Sequence, residues 1–194
     1  FFVSVIYLLI TMTIEGKIDL YQDSYMSKLL GFIIGSVILG IVCFVDDAKG
    51  VPPLVKLVAQ VLAALVVMKF GIRIDNLDIP FIDVNTFGAW FYPVLTIFWI
   101  VGITNAMNLI DGLDGLSTGI SFISCISLLI IFSLNGSPLI SIVLITALGG
   151  ALCGFLPYNF NPAKTFMGDT GSNFLGYCLS IISILGIAKT YTAI

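Results

Sequence analysis

The chain has 194 residues, of which 59% are apolar and 10% are charged, and its mean hydropathy is +1.13. Soluble globular domains carry roughly 25% charged residues, so this composition excludes one. It is also far too apolar for a disordered chain. Eight basic and 11 acidic residues give a net charge of −3, which excludes a polybasic nucleic-acid-binding protein. A polytopic membrane protein remains.

Long uncharged stretches divide the chain into apolar segments, which we expect to be helices. A helix needs about 20 apolar residues to cross a bilayer, and its backbone groups are all paired within the segment. Asn135-Gly136-Ser137-Pro138 is typical of a turn and divides the longest uncharged stretch. The seven predicted segments lie near residues 1–14, 29–45, 54–68, 90–104, 116–134, 138–156 and 172–188.

These segments predict an all-α, polytopic transmembrane helix bundle. Partial alternation of apolar and polar residues between Gly71 and Thr86 adds a small extracytoplasmic β-hairpin to this prediction. No repeat or linker divides the chain, so we interpret residues 1–194 as one domain. It begins at Phe1 within an apolar segment and stops at Ile194 just after another, so we expect it to be incomplete at both ends.

Counting the connections in order places three motif-bearing loops on the same face of the membrane, at residues 46–53, 105–115 and 157–171. Two carboxylates about 5 Å apart repel by about 3 kcal/mol at an effective dielectric near 20, so a cluster of them takes up protons or binds a cation. Oxygen ligands without Cys or His favour a hard ion such as Mg²⁺. Helix capping explains a single aspartate, but not the shared face. The aspartates of these loops are Asp46, Asp47, Asp111, Asp114 and Asp169.

Glycines flank these aspartates where helices are expected to begin. Gly112 and Gly115 surround Asp114, and Gly168 precedes Asp169. Glycine lets a ligand approach the backbone closely, and a helix N-terminus presents free N–H groups to a phosphate. Together with a divalent ion, they indicate a polyphosphate substrate at the membrane surface.

Three motifs resemble those of the polyprenyl-phosphate N-acetylhexosamine-1-phosphate transferases, in the same order along the chain. They are Asp46-Asp47, the Asn-x-x-Asn-x-x-Asp-Gly-x-Asp-Gly run from Asn105 to Gly115, and the run from Pro162 to Ser172. These membrane enzymes transfer a sugar-1-phosphate from a UDP-sugar to a lipid phosphate and release UMP. The resemblance therefore implies a Mg²⁺-dependent transferase, with Mn²⁺ as an alternative ion.

The resemblance also implies a role for individual residues. Asp169 resembles the metal ligand, and Asp46, Asp47 and Asp111 are the candidate catalytic residues, with Asp46 and Asp47 near the lipid phosphate and the metal. Phe166 is suited to stacking on uracil. Lys56 and Lys164 are our own candidates for phosphate contacts. The full set of candidate substrate-binding residues is Asn105, Asn108, Gly112, Leu113, Asp114, Lys164, Phe166 and Lys56.

The resemblance leaves two alternative functions, which correspond to two branches of this family. The residues from Gly154 to Asn161, before Pro162, and from Asn173 to Tyr177, after Ser172, resemble the GlcNAc-1-phosphate branch, which initiates surface polymers on undecaprenyl phosphate at the cell membrane. The alternative is the phospho-MurNAc-pentapeptide transferase branch of peptidoglycan synthesis. The resemblance places one family loop before Phe1 and a His-containing loop beyond Ile194, so we expect the segment alone to be inactive. The sequence does not determine whether the protein forms a homodimer.

Other classes of membrane protein fit the sequence less well. Transporter sites lie near the bilayer midplane, whereas these aspartates lie at the ends of apolar segments. Asn161-Pro162-Ala163 is typical of aquaporin-type channels and Asp169-Thr170-Gly171 of pepsin-like proteases, but both classes use two copies and this chain has one of each. Lysine and arginine are not enriched on the motif face. We expect that face to be cytoplasmic because UDP-sugars are there.

Overall fold

The computed structural model of the chain describes residues 1–16, 24–75, 88 and 90–187. Secondary structure in these residues consists of seven helices, which confirms the predicted all-α class. The predicted hairpin falls mainly on residues 76–87, outside the described residues, and stays a prediction. The helices are α1 (Phe2–Ile14), α2 (Tyr25–Lys49), α3 (Pro53–Lys69), α4 (Phe91–Ile110), α5 (Leu116–Leu134), α6 (Leu139–Asn159) and α7 (Gly168–Ile187).

Four of these helices, α2, α4, α5 and α6, are long and apolar enough to cross a membrane. Helix α2 is the longest, with 25 residues, which corresponds to roughly 37 Å at a rise of about 1.5 Å per residue. The hydrocarbon core of a bilayer is only about 30 Å thick. The last turn of α2, which carries Asp46 and Asp47, therefore extends to the membrane boundary.

The outward faces of the bundle are strongly apolar. Large side chains such as Ile6, Ile41, Phe98 and Ile123 are each more than half exposed. Contiguous apolar surface of this extent is unusual on a soluble monomer and marks contact with an apolar surrounding. Together with the apolar helices, it identifies the chain as a membrane protein.

Helix α7 lies at the centre of the bundle and packs against α2, α4, α5 and α6. From Leu175 to Leu185 nearly all its side chains are buried. Tyr177 donates a hydrogen bond from its hydroxyl to the carbonyl oxygen of Phe32 on α2, at 3.0 Å. This buried contact connects the centre of α7 to the helix that carries the Asp46-Asp47 pair.

Close packing between α4 and α7 depends on Gly176. A Cβ atom at this position would lie 2.6 Å from the Cα atom of Thr104 and 2.9 Å from the carbonyl oxygen of Ile103. Only glycine allows the two backbones to approach this closely. The first half of α7 is therefore held against the last half of α4, where Asn105 and Asn108 also lie.

Candidate active site

Lys56 connects three helices at one end of the bundle. Its Nζ atom lies 2.7 Å from Asp46 Oδ2 and 2.6 Å from Asp169 Oδ2. Asp46 also accepts a hydrogen bond from the backbone N–H of Val51, at 2.7 Å. The first residues of α3 and α7 are therefore joined to the end of α2, and the two carboxylates share one cation.

Asp47 caps the beginning of α7 from a distant part of the chain. Its carboxylate accepts hydrogen bonds from the backbone N–H groups of Asp169 and Thr170, at 2.8 and 3.0 Å, and from the Thr170 hydroxyl at 2.5 Å. The first N–H groups of a helix have no partner within the helix, and a carboxylate there is favoured by the helix dipole. Asp47 is therefore already committed to three protein donors.

The glycine that precedes Asp169 is required by this cap. Gly168 has φ of +67°, a left-handed conformation that L-residues other than glycine adopt at a cost of roughly 1–2 kcal/mol. A Cβ atom on Gly168 would lie 3.1 Å from Asp47 Oδ2. The Gly-Asp-Thr sequence thus turns the chain into α7 while leaving room for the Asp47 carboxylate.

Asn108 approaches Asp169 from α4. Its side-chain amide donates hydrogen bonds to Asp169 Oδ1, at 3.1 Å, and to Ser172 Oγ, at 2.9 Å. Asp169 thus receives Lys56 on one carboxylate oxygen and Asn108 on the other. This arrangement confirms that the three motif-bearing loops meet, as the order of the connections predicts.

A cavity of about 190 Å³ opens beside Asp169. The Asn105–Gly115 motif supplies its walls on one side, and the 157–171 loop supplies them on the other. Phe166 is 74% exposed and Leu113 is 70% exposed, so both side chains are available to a ligand. The lining residues are Asn108, Asp111, Gly112, Leu113, Asp114, Asn159, Phe166, Met167, Gly168 and Asp169.

Asp111 is a carboxylate of this cavity whose ionisation depends on its surroundings. Partial burial, and secondarily the negative charge of Asp169, raises the pKa of the Asp111 carboxyl above its ordinary value. Both effects disfavour its charged form. A cation bound near Asp169 would oppose them, so Asp111 is well placed to respond to the charge of a ligand in the cavity.

Asp114 holds the two walls of the cavity together. Its Oδ2 atom accepts hydrogen bonds from the Asn161 side chain, at 3.1 Å, and from the backbone N–H of Ala163, at 3.0 Å. The neighbouring Lys164 is exposed, and among the described residues its side chain forms no ion pair. Lys164 does not line the cavity, although it follows the loop that Asp114 holds.

Asn105 also lies away from the cavity, where its side chain bonds to a buried pair of amides that lies outside the three motifs. Its Nδ2 atom donates to Gln60 Oε1, at 2.6 Å, and Gln60 Nε2 donates to Asn173 Oδ1, at 2.9 Å. Gln60 and Asn173 are 2% and 1% exposed. A polar side chain in an otherwise apolar segment is a signal of function or pairing, and it could have identified Gln60.

The side chains around Asp169 provide oxygen ligands of the kind that a magnesium ion prefers. No group of three His, Cys, Asp or Glu residues within the described part of the chain could hold a metal by itself. Mg²⁺ is usually bound by one or two carboxylates together with water and substrate phosphates. Asp46 and Asp169 provide two such carboxylates and already share the Lys56 cation, so they would hold the ion.

These features define a membrane-embedded helical bundle with an acidic, oxygen-rich cavity at one end. The chain belongs to glycosyl transferase family 4, whose family profile matches residues 29–187. This match includes all three motifs.

Curated relatives agree with this assignment. The chain is 40% identical over 166 residues to a probable undecaprenyl-phosphate N-acetylglucosaminyl 1-phosphate transferase of Bacillus subtilis, covering 86% of the chain and 46% of that protein. It is 35% identical over 194 residues to a phospho-N-acetylmuramoyl-pentapeptide-transferase of Staphylococcus epidermidis, covering 91% and 59% respectively. A protein of the latter name from Limosilactobacillus reuteri is 38% identical over 177 residues, covering 85% and 54%. The chain spans about half the length of these relatives.

Proposed function

We propose that the full-length protein transfers N-acetylhexosamine-1-phosphate, in particular GlcNAc-1-phosphate, from a UDP-sugar to undecaprenyl phosphate and releases UMP. The observation that carries this proposal is the meeting of three distant motifs around Asp169, where Lys56, Asn108 and Asp47 all contact the segment that begins α7. The second and third motifs line the cavity, whereas Asp46, Asp47 and Lys56 lie behind Asp169 and do not line it. The 40% identity to the Bacillus subtilis protein favours GlcNAc-1-phosphate as the transferred group.

The cavity provides separate places for the two ends of the nucleotide sugar. The exposed ring of Phe166 stacks on uracil, because aromatic faces bind bases through their π surfaces. Gly112 and Leu113 form the neighbouring wall. The diphosphate then extends towards Asp169, which would hold a magnesium ion that supplies charge neutralisation for the phosphates.

The reaction is an in-line displacement at the β-phosphorus. An oxygen of the lipid phosphate forms a bond to this phosphorus, and the bond to the oxygen that bridges the α- and β-phosphates breaks. UMP leaves with the bridging oxygen. Phosphoryl transfer depends mainly on positioning and on electrostatic stabilisation, and Asp46, Asp169 and Lys56 contribute both at this end of the bundle.

A general base has little to do in this reaction. The second pKa of a phosphomonoester is near 6, so the lipid phosphate is mostly dianionic at neutral pH. Asp47 accepts three hydrogen bonds from the start of α7, which leaves it poorly suited to take a proton. We therefore assign Asp47 to positioning of the Asp169 segment, and Asp46 to the carboxylate pair with Asp169 that would hold the metal ion beside Lys56.

The cavity faces the cytoplasm in this proposal, because UDP-sugars are made there and the lipid phosphate lies in the adjoining leaflet. The bundle is a multi-pass protein of the cell membrane. A cysteine-accessibility scan of the full-length protein tests this orientation. A cysteine that replaces Ala48 is expected to react only with a membrane-permeant reagent in intact cells. Labelling of that cysteine by an impermeant reagent would reverse the assignment.

The identity to phospho-N-acetylmuramoyl-pentapeptide-transferases favours a second candidate, in which the transferred group is phospho-MurNAc-pentapeptide. The deciding experiment uses the purified full-length protein, undecaprenyl phosphate and Mg²⁺. UMP release is measured with UDP-GlcNAc and with UDP-MurNAc-pentapeptide, with EDTA as the metal-free control. Release with UDP-GlcNAc alone supports the proposal, and release with the pentapeptide substrate alone supports the second candidate. If neither substrate releases UMP, the proposed transferase activity is wrong. Transport of solute across vesicles that contain the protein then tests the transporter alternative.

A further inference from the structure

Two rows of polar side chains cross the same three helices at the site end of the bundle. The site row consists of Lys56, Asn108 and Asp169, one residue from each of α3, α4 and α7. The amide row consists of Gln60, Asn105 and Asn173, again one residue from each helix. Residues three or four apart lie on the same face of a helix. Each helix thus contributes one member to each row, about one turn apart.

The amide row lies deeper in the bundle than the site row. Helices α3 and α7 begin at the site end and α4 ends there, so Gln60, Asn173 and Asn105 are all one turn further from the membrane surface. The rise over four residues is about 6 Å. Although α4 runs in the opposite direction to α3 and α7, all three helices therefore present their amides at the same depth.

Hydrogen bonding within the amide row is continuous. Both hydrogens of Gln60 Nε2 are used, one towards Asn173 Oδ1 at 2.9 Å and one towards Asn105 Oδ1 at 3.3 Å. Asn105 donates to Gln60 Oε1 and to the carbonyl oxygen of Val101. Asn173 donates to the carbonyl oxygen of Asp169, at 2.8 Å. The row therefore ends at the backbone of the very residue that occupies the centre of the site row.

We propose that the amide row is a set of positioning residues that fixes the register of α3, α4 and α7, and thereby holds Asp169 ready for its metal ion. Apolar packing alone tolerates small shifts of one helix along another. A connected set of amides with two fully buried members does not, because a shift leaves a buried donor or acceptor of Gln60 or Asn173 without a partner. Gln60 is the central member, since it bonds to both of the others.

This inference rests on one part of the proposed function, the metal ion at Asp169, and does not depend on which sugar is transferred. Partners behind a metal ligand typically change metal affinity by about 10- to 100-fold when they are lost. In the full-length protein, Gln60→Met keeps the length of the side chain and removes its hydrogen bonds. We expect it to raise the half-saturating concentration of Mn²⁺ by about tenfold, measured by the electron paramagnetic resonance signal of free Mn²⁺ without any turnover.

The matched control is Thr96→Val at the opposite end of α4. Thr96 is also fully buried, and its hydroxyl accepts a hydrogen bond from the backbone N–H of Ile74 and donates one to the carbonyl oxygen of Tyr92. This variant therefore removes a buried polar contact far from the site. We expect it to lower the melting temperature and to leave the Mn²⁺ half-saturation within about twofold, since it reaches no residue of either row.

Asn105→Leu is a second single variant of the amide row, which tests the inference if Gln60→Met folds poorly, and the two substitutions together form a double-mutant cycle. Asn105 reaches Asn173 only through Gln60, so adding Asn105→Leu to Gln60→Met should change Mn²⁺ half-saturation little further. Fully additive effects, an unchanged half-saturation in Gln60→Met, or absence of Mn²⁺ binding in the parent protein would each overturn the inference. UMP release measured in parallel tests the proposed function separately, because Mn²⁺ binding requires no transfer.

Discussion

The two ends of the bundle are held together by different interactions. At the site end, side chains of different helices bond to one another, as Lys56 does to Asp46 and Asp169. At the opposite end, three polar contacts among the described residues each join two positions. Ser137 donates a hydrogen bond to the carbonyl oxygen of Gly186 at 2.8 Å, Thr96 accepts one from the backbone N–H of Ile74 at 3.1 Å, and Arg73 pairs with the nearby Asp75 on the surface. None of these three contacts joins three helices as Lys56 does.

This difference indicates which contacts contribute mainly to stability and which contribute mainly to the geometry of the site. Buried polar groups reduce stability unless they are fully paired, so a bundle gains little by gathering them at one end for stability alone. The apolar contacts along α7 hold the helices together, and the polar contacts at the site end determine where Asp169 lies. Substitutions at the site end should therefore affect activity more than stability, and those at the opposite end should do the reverse.

The largest effect is expected for Asp169→Asn, which removes the charge that Lys56 and the proposed metal share. We expect UMP release by the full-length protein to fall by roughly 10²- to 10³-fold, as for other groups that stabilise transition-state charge. The control is Asp75→Asn, which breaks an exposed ion pair at the opposite end and should change activity by less than about twofold. Similar losses in both variants would contradict the distinction between the two ends.

Gly168→Ala and Gly136→Ala form a matched pair at the two ends. Their φ angles are +67° and +63°, so both substitutions carry the same backbone cost of roughly 1–2 kcal/mol. A Cβ atom at Gly136 has nothing within 4 Å, whereas one at Gly168 lies 3.1 Å from Asp47 Oδ2. Activity should fall up to about 100-fold in Gly168→Ala only, because displacement of the Asp169 segment misplaces the reacting groups.

Thermal unfolding supplies the control for this pair. The two glycine variants should lose similar stability from backbone strain, and their melting temperatures should lie close together. If Gly136→Ala loses as much activity as Gly168→Ala, strain in the fold explains both, and the contact with Asp47 is irrelevant to function.

The helices and the shared face of the motifs could be predicted from sequence because both depend on spacing alone. Uncharged stretches of sufficient length fix where segments cross, and counting the connections fixes which loops meet. The limits of the helices could not be obtained in this way. Helix α4 continues to Ile110 rather than ending near residue 104, because Asn105 and Asn108 continue the helix although they are polar. An apolar segment and a helix need not end together.

The hydrogen-bond partners of the site residues also could not be predicted from the sequence, and Asp47 shows why. Its motif predicts a residue near the metal and the lipid phosphate, but its hydrogen bonds go to Asp169 and Thr170, more than a hundred residues away. Capping between distant segments depends on how α2 and α7 pack. The same is true of Gln60, whose partners come from two other helices. Motifs identify candidates, whereas packing assigns their partners.

Asp47→Asn tests whether Asp47 positions the site or removes a proton. An amide at this position keeps one oxygen acceptor and loses the charge that favours the start of α7. We expect the maximal rate to fall by about tenfold through the weaker cap, a loss near 1.4 kcal/mol, with the same fold-loss from neutral to alkaline pH. Thr170→Val, which removes the hydroxyl donor to Asp47, should show a smaller loss of the same kind. Recovery of Asp47→Asn at high pH would instead favour a general base.

Among the site variants, Phe166→Ala should have the smallest effect on the maximal rate, because it concerns binding of one ring rather than the position of the reacting phosphates. Loss of a stacked base contributes about 1–3 kcal/mol, so Phe166→Ala should raise the KM for the UDP-sugar by about tenfold and leave kcat nearly unchanged. Phe98→Ala is the control, because Phe98 on α4 has the same exposed fraction of 74% and does not line the cavity. UMP should inhibit the Phe166 variant less strongly than the parent protein, since both ligands carry uracil. An unchanged inhibition constant for UMP, or an equal rise of KM in Phe98→Ala, would exclude Phe166 from the nucleotide site while leaving the positions of Asp169 and Asp47 unaffected.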